Sequence, residues 1–101
     1  MQRDKRSVET TLERKGFRRD ERKHHFFYYW TLDGLRSSVV TWTSHSKRMK
    51  AIGSSLLAKM AKQCYLDRDR FLALVDCPLE QKEYETILQQ IGRLPRSGNH
   101  E

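Results

Sequence analysis

The chain of 101 residues has two cysteines, no long apolar run and almost no acid in its middle. Cys64 and Cys77 have no short metal-ligand spacing and no third or fourth cysteine beside them, which argues against a thiolate metal centre and predicts two reduced, mostly buried thiols. No stretch approaches the roughly 20 apolar residues that cross a bilayer, and the N-terminal residues carry no hydrophobic signal, so the expectation is no membrane and a cytoplasmic address. Asp33 is the only carboxylate from Arg22 to Cys64, too little acid there to hold a catalytic divalent cation, so any hydrolytic chemistry in this half is expected to be metal-independent. No motif supports a nucleotide or zinc cofactor, so none is expected. No internal repeat or low-complexity tract appears, which leaves one ordinary domain rather than an array.

Basic and aromatic residues are plentiful, and both are placed unevenly. From Met1 to Lys62 there are 15 Lys/Arg against 6 Asp/Glu, a net +9, whereas Gln63 to Glu101 has 5 against 7, a net −2. The basic part concentrates polyanions whatever their sequence, and RNA is the natural one for a small basic domain. Simple solubility explains the same charge. The aromatics cluster in Lys-His-His-Phe-Phe-Tyr-Tyr-Trp-Thr-Leu, Lys23 to Leu32. As a strand this run sets His24, Phe26, Tyr28 and Trp30 on one face and His25, Phe27, Tyr29 and Thr31 on the other. One face then serves the core and the other exposes rings that stack on bases or bury against a protein. Tyr28, Trp30 and Trp42 are by default core or interface residues, since large rings supply apolar area first.

Val8 and Leu12 share a helical face over Lys5 to Lys15, and Gly16 stands at a left-handed C-cap. Phe17 to Asp20 reads as a short strand, Asp20 to Lys23 as a polar turn and His24 to Leu32 as a long strand. Asp33-Gly34 reads as a two-residue hairpin turn, with Ser37 to Thr43 as the return strand. Ser44 to Ile52 reads as a basic loop. A serine-capped helix then runs from Ser55 to about Cys64, burying Leu56, Leu57, Met60 and Cys64. Asp67 caps a further helix, and Pro78 opens a last one carrying Tyr84, Ile87, Leu88 and Ile91 that ends at Gly92. Arg3 to Arg6 and the residues beyond Gly92 read as frayed ends. The resulting class is α+β, α-β-β-β-α with a three-stranded antiparallel sheet, followed by two C-terminal helices. With only 37 % hydrophobic residues, a homo-oligomer is one way to add burial.

The landmarks Gly16-Phe17, His24 followed by Phe26 to Tyr28, Ser44-His45, and Leu57-Ala58-Lys59-Met60-Ala61-Lys62-Gln63 come in the order seen in HicA-type toxins, which the chain resembles over about Val8 to Leu66. The resemblance implies a double-stranded-RNA-binding-domain-like fold over residues 1–66, a ribonuclease acting on mRNA, and a HicB-like antitoxin as partner. Residues 67–92 are then a helical extension of the same domain and 93–101 a tail. Arg22-Lys23 stand where the family has Gly-Ser, so side-chain charge replaces a close backbone approach to phosphate.

On this reading His24 exchanges the proton when a ribose 2′-hydroxyl attacks the adjacent phosphate, and Arg22 and Lys23 stabilise charge on the phosphate oxygens. His25 and His45 are candidate second proton carriers. Strand alternation turns His25 away from His24 and favours His45. Lys47, Arg48 and Lys50 are phosphate contacts, or else an ordinary solvated loop. His100 is an isolated terminal histidine without a role. The alternative is a non-catalytic RNA-binding or protein-interaction module of the same fold.

Overall fold

A computed structural model describes residues 2–44 and 46–95. The elements in order are β1 (Gln2–Asp4), α1 (Lys5–Arg14), β2 (Phe17–Arg19), β3 (Phe26–Trp30), β4 (Arg36–Trp42), β5 (Ala51–Gly53), α2 (Ser54–Gln63), α3 (Arg68–Val75) and α4 (Gln81–Gln90). Strands β2, β3 and β4 form a three-stranded antiparallel sheet in that order. The fold is therefore α+β, with the helices on one sheet face and the other left open. Among the described residues no helix is long and apolar enough to cross a membrane.

Alternation along β3 decides which face is covered. Phe27 and Tyr29 are fully buried, while Phe26, Tyr28 and Trp30 are only half-buried. Phe17 from β2 and Tyr84 from α4 close around Tyr29, with ring centroids 5.3 Å (Phe17–Tyr29), 5.8 Å (Phe17–Tyr84) and 5.2 Å (Tyr29–Tyr84). Tyr29 meets both rings edge-to-face while Phe17 and Tyr84 stack, and such contacts add to the area that each ring buries. Val8 and Leu12 from α1, Leu57 and Met60 from α2, and Phe71 and Leu74 from α3 complete one continuous core. A ring of α4 thus sits at the centre of the sheet's covered face.

Several expectations give way to tertiary structure. Arg3 is not part of a loose end: β1 pairs antiparallel with β5, Arg3 opposite Ile52, and the Arg3 guanidinium forks onto Asp76 at 3.0 and 2.9 Å. The basic loop accordingly stops at Lys50, and its last residues become a strand. The hairpin loop has three residues, Leu32 to Gly34, rather than two. The Gly34 N–H donates to the Thr31 carbonyl (2.9 Å), and Gly34 alone takes a positive φ, +82°. That is a type I turn closed by a left-handed residue. Register shifts between Tyr28 and Trp30, where the Ser37 hydroxyl donates to the Tyr29 carbonyl at 2.8 Å.

The helix ends also differ. Gly53, not serine, is the N-cap of α2, and no side chain caps it. Pro78 lies before α4, whose start is fixed by the Glu83 carboxylate accepting the Glu80 N–H at 3.0 Å. Asp67 does cap α3, accepting the Arg70 N–H at 2.8 Å. Gly92, at φ +79°, ends α4 as expected: its N–H reaches Gln89 O and the Arg93 N–H reaches Leu88 O, the paired bonds of a Schellman motif. Ile91, placed at this C-cap, is half exposed rather than part of the core stripe. Cys64 is buried, but Cys77 is exposed, because it follows the last turn of α3 in a left-handed conformation with φ +88°.

Candidate nucleic-acid interface

The loop between β2 and β3 is built by one carboxylate. Asp20 Oδ1 accepts the backbone N–H groups of Arg22 and Lys23, both at 2.8 Å, and these bonds hold its carboxyl below the ordinary value. The Asp20 N–H meets Phe26 O at 2.8 Å, and the Phe26 N–H meets Lys23 O at 2.9 Å. The segment from Asp20 to Phe26 is therefore a closed turn, and β3 begins at Phe26. His24 and His25 stand in this turn, ahead of the strand, so alternation does not separate them. Both line one open groove of about 480 Å³.

The His24 Nε2 lies 2.7 Å from the Glu21 carbonyl. A carbonyl only accepts, so Nε2 carries the proton in the neutral ring and Nδ1 is the acceptor nitrogen. Arg19 donates from Nη1 to the His24 carbonyl at 2.9 Å, clamping the turn onto β2. His25 packs edge-on against Phe26 at 4.7 Å, and its carbonyl accepts the Thr43 N–H at 2.9 Å, tying the turn to the end of β4.

Arg22, Lys23 and Lys47 line the groove with the two histidines, as do Lys5 and Arg19. These last two were not legible as site residues, since they come from α1 and β2. The only sequence signal is that Lys5 lies one helical turn before Glu9 on one face of α1. Among the described residues, Glu9 is the single carboxylate against five cations in the groove, and it is already engaged. It accepts the Thr43 hydroxyl at 2.6 Å and approaches Arg19 at 3.5 Å. The Lys5 ammonium donates to the Ser46 carbonyl at 3.1 Å.

Lys50 lines an adjoining basic groove that shares Lys5, Glu9 and Lys47 with the first. Arg48 is exposed in the turn after Ser46 and lines neither. His45 and His100 lie outside the described residues. Among the described residues, no three His, Cys, Asp or Glu side chains gather as a metal-binding set.

The open sheet face is a second feature of this end of the molecule. Phe26 and Trp42 are cross-strand partners whose rings stack at 5.1 Å. The Arg36 guanidinium lies 3.9 Å from the Tyr28 ring centroid and the Arg18 guanidinium 4.0 Å from that of Trp30. Lys23 reaches over Phe26 at 5.3 Å. Each arginine is diagonal to its ring across the ladder, so cations and rings alternate over the face.

Comparison of the chain with protein-family models, curated proteins and solved structures finds no match in any of the three.

Proposed function

We propose that this chain is a HicA-like toxin, a cytoplasmic endoribonuclease that binds mRNA in the basic groove, cleaves it without a metal ion, and is silenced by a HicB-like antitoxin protein. The observation that carries the reading is the meeting of two imidazoles with Lys5, Arg19, Arg22, Lys23 and Lys47 in one open groove. The order of elements and the landmark residues shared with HicA-type toxins support it.

In the proposed reaction the His24 Nδ1 accepts the proton of a ribose 2′-hydroxyl. The 2′-oxygen–phosphorus bond forms and the phosphorus–5′-oxygen bond breaks, with the departing 5′-oxygen taking a proton from a second carrier. His25 fills that role from within the groove, and His45 remains the candidate named by sequence. The products are a 2′,3′-cyclic phosphate and a 5′-hydroxyl. Arg22 and Lys23 neutralise the charge that builds on the phosphate oxygens. Their backbone N–H groups are committed to Asp20, so only their side chains serve phosphate.

That commitment of backbone donors favours one second reading, a module of the same fold that binds RNA or protein without cleaving. Expression in a bacterial host separates the two. Growth arrest and mRNA loss with the parent, both absent with His24→Ala, are the expected result. Growth arrest undiminished in His24→Ala removes His24 from the mechanism.

A further inference from the structure

The open sheet face carries an inference about what kind of RNA the groove serves, and it rests on the RNA reading above. Trp42, at the end of β4, is 38 % exposed and stacked on Phe26, so part of its indole is presented to solvent. Arg36, 3.9 Å from the Tyr28 ring centroid, and Arg18, 4.0 Å from that of Trp30, add two planar guanidinium groups held over rings. A guanidinium stacked on a ring keeps its N–H edge for phosphate and its outer face for a base.

This surface is continuous with the histidine groove. Arg19 and Arg22 line that groove and also the shallow cleft bounded by Arg18, Tyr28, Trp30 and Arg36. Two acids, Asp20 and Glu21, line that cleft beside four arginines, with Asp20 already accepting from two backbone donors. Charge decides the occupant. A two-fold dimer through this face would bring Arg18 and Arg36 near their own counterparts, whereas a polyanion with flat, unpaired bases matches both the cations and the rings. A duplex keeps its bases stacked on one another and has none to offer.

We propose that the open face of β2, β3 and β4 is a stacking platform for single-stranded RNA, which threads unpaired bases over Trp42, Tyr28 and Trp30 as its backbone enters the histidine groove. The substrate class is then unpaired RNA.

The chain's two tryptophans, Trp30 and Trp42, both lie on this face, so indole fluorescence reports it alone. The experiment titrates the protein with a fluorescein-labelled 2′-O-methyl RNA of about 12 nucleotides, single-stranded or folded into a hairpin duplex, reading label anisotropy and tryptophan emission together. The 2′-O-methyl group blocks cleavage. Expected are tighter binding of the single strand, strong tryptophan quenching with it alone, and a roughly 5- to 100-fold loss of single-strand affinity in Trp42→Ala, with duplex binding unchanged. Arg36→Ala, at an exposed position, gives a second variant with the same expected direction.

Binding seen by anisotropy without quenching, and unchanged in both variants, overturns the platform and leaves the RNA reading standing. No binding to either RNA overturns both. A concentration-dependent dimer that Trp42→Ala dissolves assigns the face to a second copy and overturns the platform as well.

Discussion

Glu85 is a buried carboxylate on α4, only 5 % exposed, and its removal should destabilise the fold strongly. Its Oε1 accepts the Tyr29 hydroxyl at 2.6 Å and the Leu32 N–H at 2.8 Å, so one oxygen ties the last helix to β3 and to the hairpin loop. Burial, and then this carboxylate, push the Tyr29 phenol well above its ordinary value, so it stays a donor through mildly alkaline pH. Glu85→Ala strands both donors. Gln81 Nε2, 3.3 Å from the Tyr29 oxygen, is itself a donor and offers no replacement. Each orphaned buried donor costs about 1–3 kcal/mol, with the part-buried Leu32 N–H at the low end, for a combined loss of about 3 kcal/mol. For a domain of this size that is a fall in Tm of roughly 12–24 °C. Glu85→Gln keeps one acceptor oxygen in place and should lose less than half as much. Thermal unfolding followed by circular dichroism at constant pH measures both. An alanine variant no less stable than the glutamine variant, or a fall below about 4 °C, would refute the claim that this oxygen pins α4.

Other consequences are as direct. Gly16 has φ +99°, and a Cβ there would clash with the Gln81 amide and meet Tyr29 Cε1 at 2.9 Å, so Gly16→Ala should destabilise by at least about 1 kcal/mol; equal urea midpoints for parent and variant would contradict this. Asp20 has a depressed carboxyl pKa, so its hold on the histidine turn is present above its ordinary 3.8 and lost as the pH falls through the lower folded value. The Arg22 and Lys23 amide resonances should therefore titrate with a midpoint below 3.8, and a midpoint above it would count against the turn. Cys64 is fully buried, and burial raises its thiol to about 12, whereas Cys77 is exposed. A thiol reagent should label Cys77 and spare Cys64 in the native protein; two equivalents at equal rates would show the core open. Single-stranded RNA affinity should fall with log salt at a slope of about −0.7 per phosphate neutralised, and Lys23→Ala should shallow that slope by about one contact. An unchanged slope would take Lys23 off the phosphate path.

The parts of this fold legible in the sequence are those with local patterns. Val8 and Leu12 at helical spacing, the alternating β3, the Asp67 cap and Gly92 after α4 each carry their structure in a few neighbouring residues. The pairing of β1 with β5 joins three-residue segments about fifty residues apart, and nothing in Gln2–Asp4 announces a partner. The position of the histidines is hidden for a related reason. Strand alternation continued back through His25 and His24 sets them on opposite faces, but the Asp20 carboxylate closes a turn there and both residues line one groove. The polar run Asp20 to Lys23 announces a turn, and what its residues do not show is that the turn continues through His24 and His25 to Phe26. Lys5 joins that groove through the tertiary placement of α1 beside the turn, with its ammonium on the Ser46 carbonyl, and Arg19 joins it through its bond to the His24 carbonyl.

Cleavage of a mixed RNA pool by the purified protein in excess chelator, beside His24→Ala and with the product ends analysed, tests the central claim most directly. The account predicts cleavage by the parent alone, leaving 2′,3′-cyclic phosphate and 5′-hydroxyl ends. Intact RNA with folded parent, or equal cleavage by the variant, would contradict it.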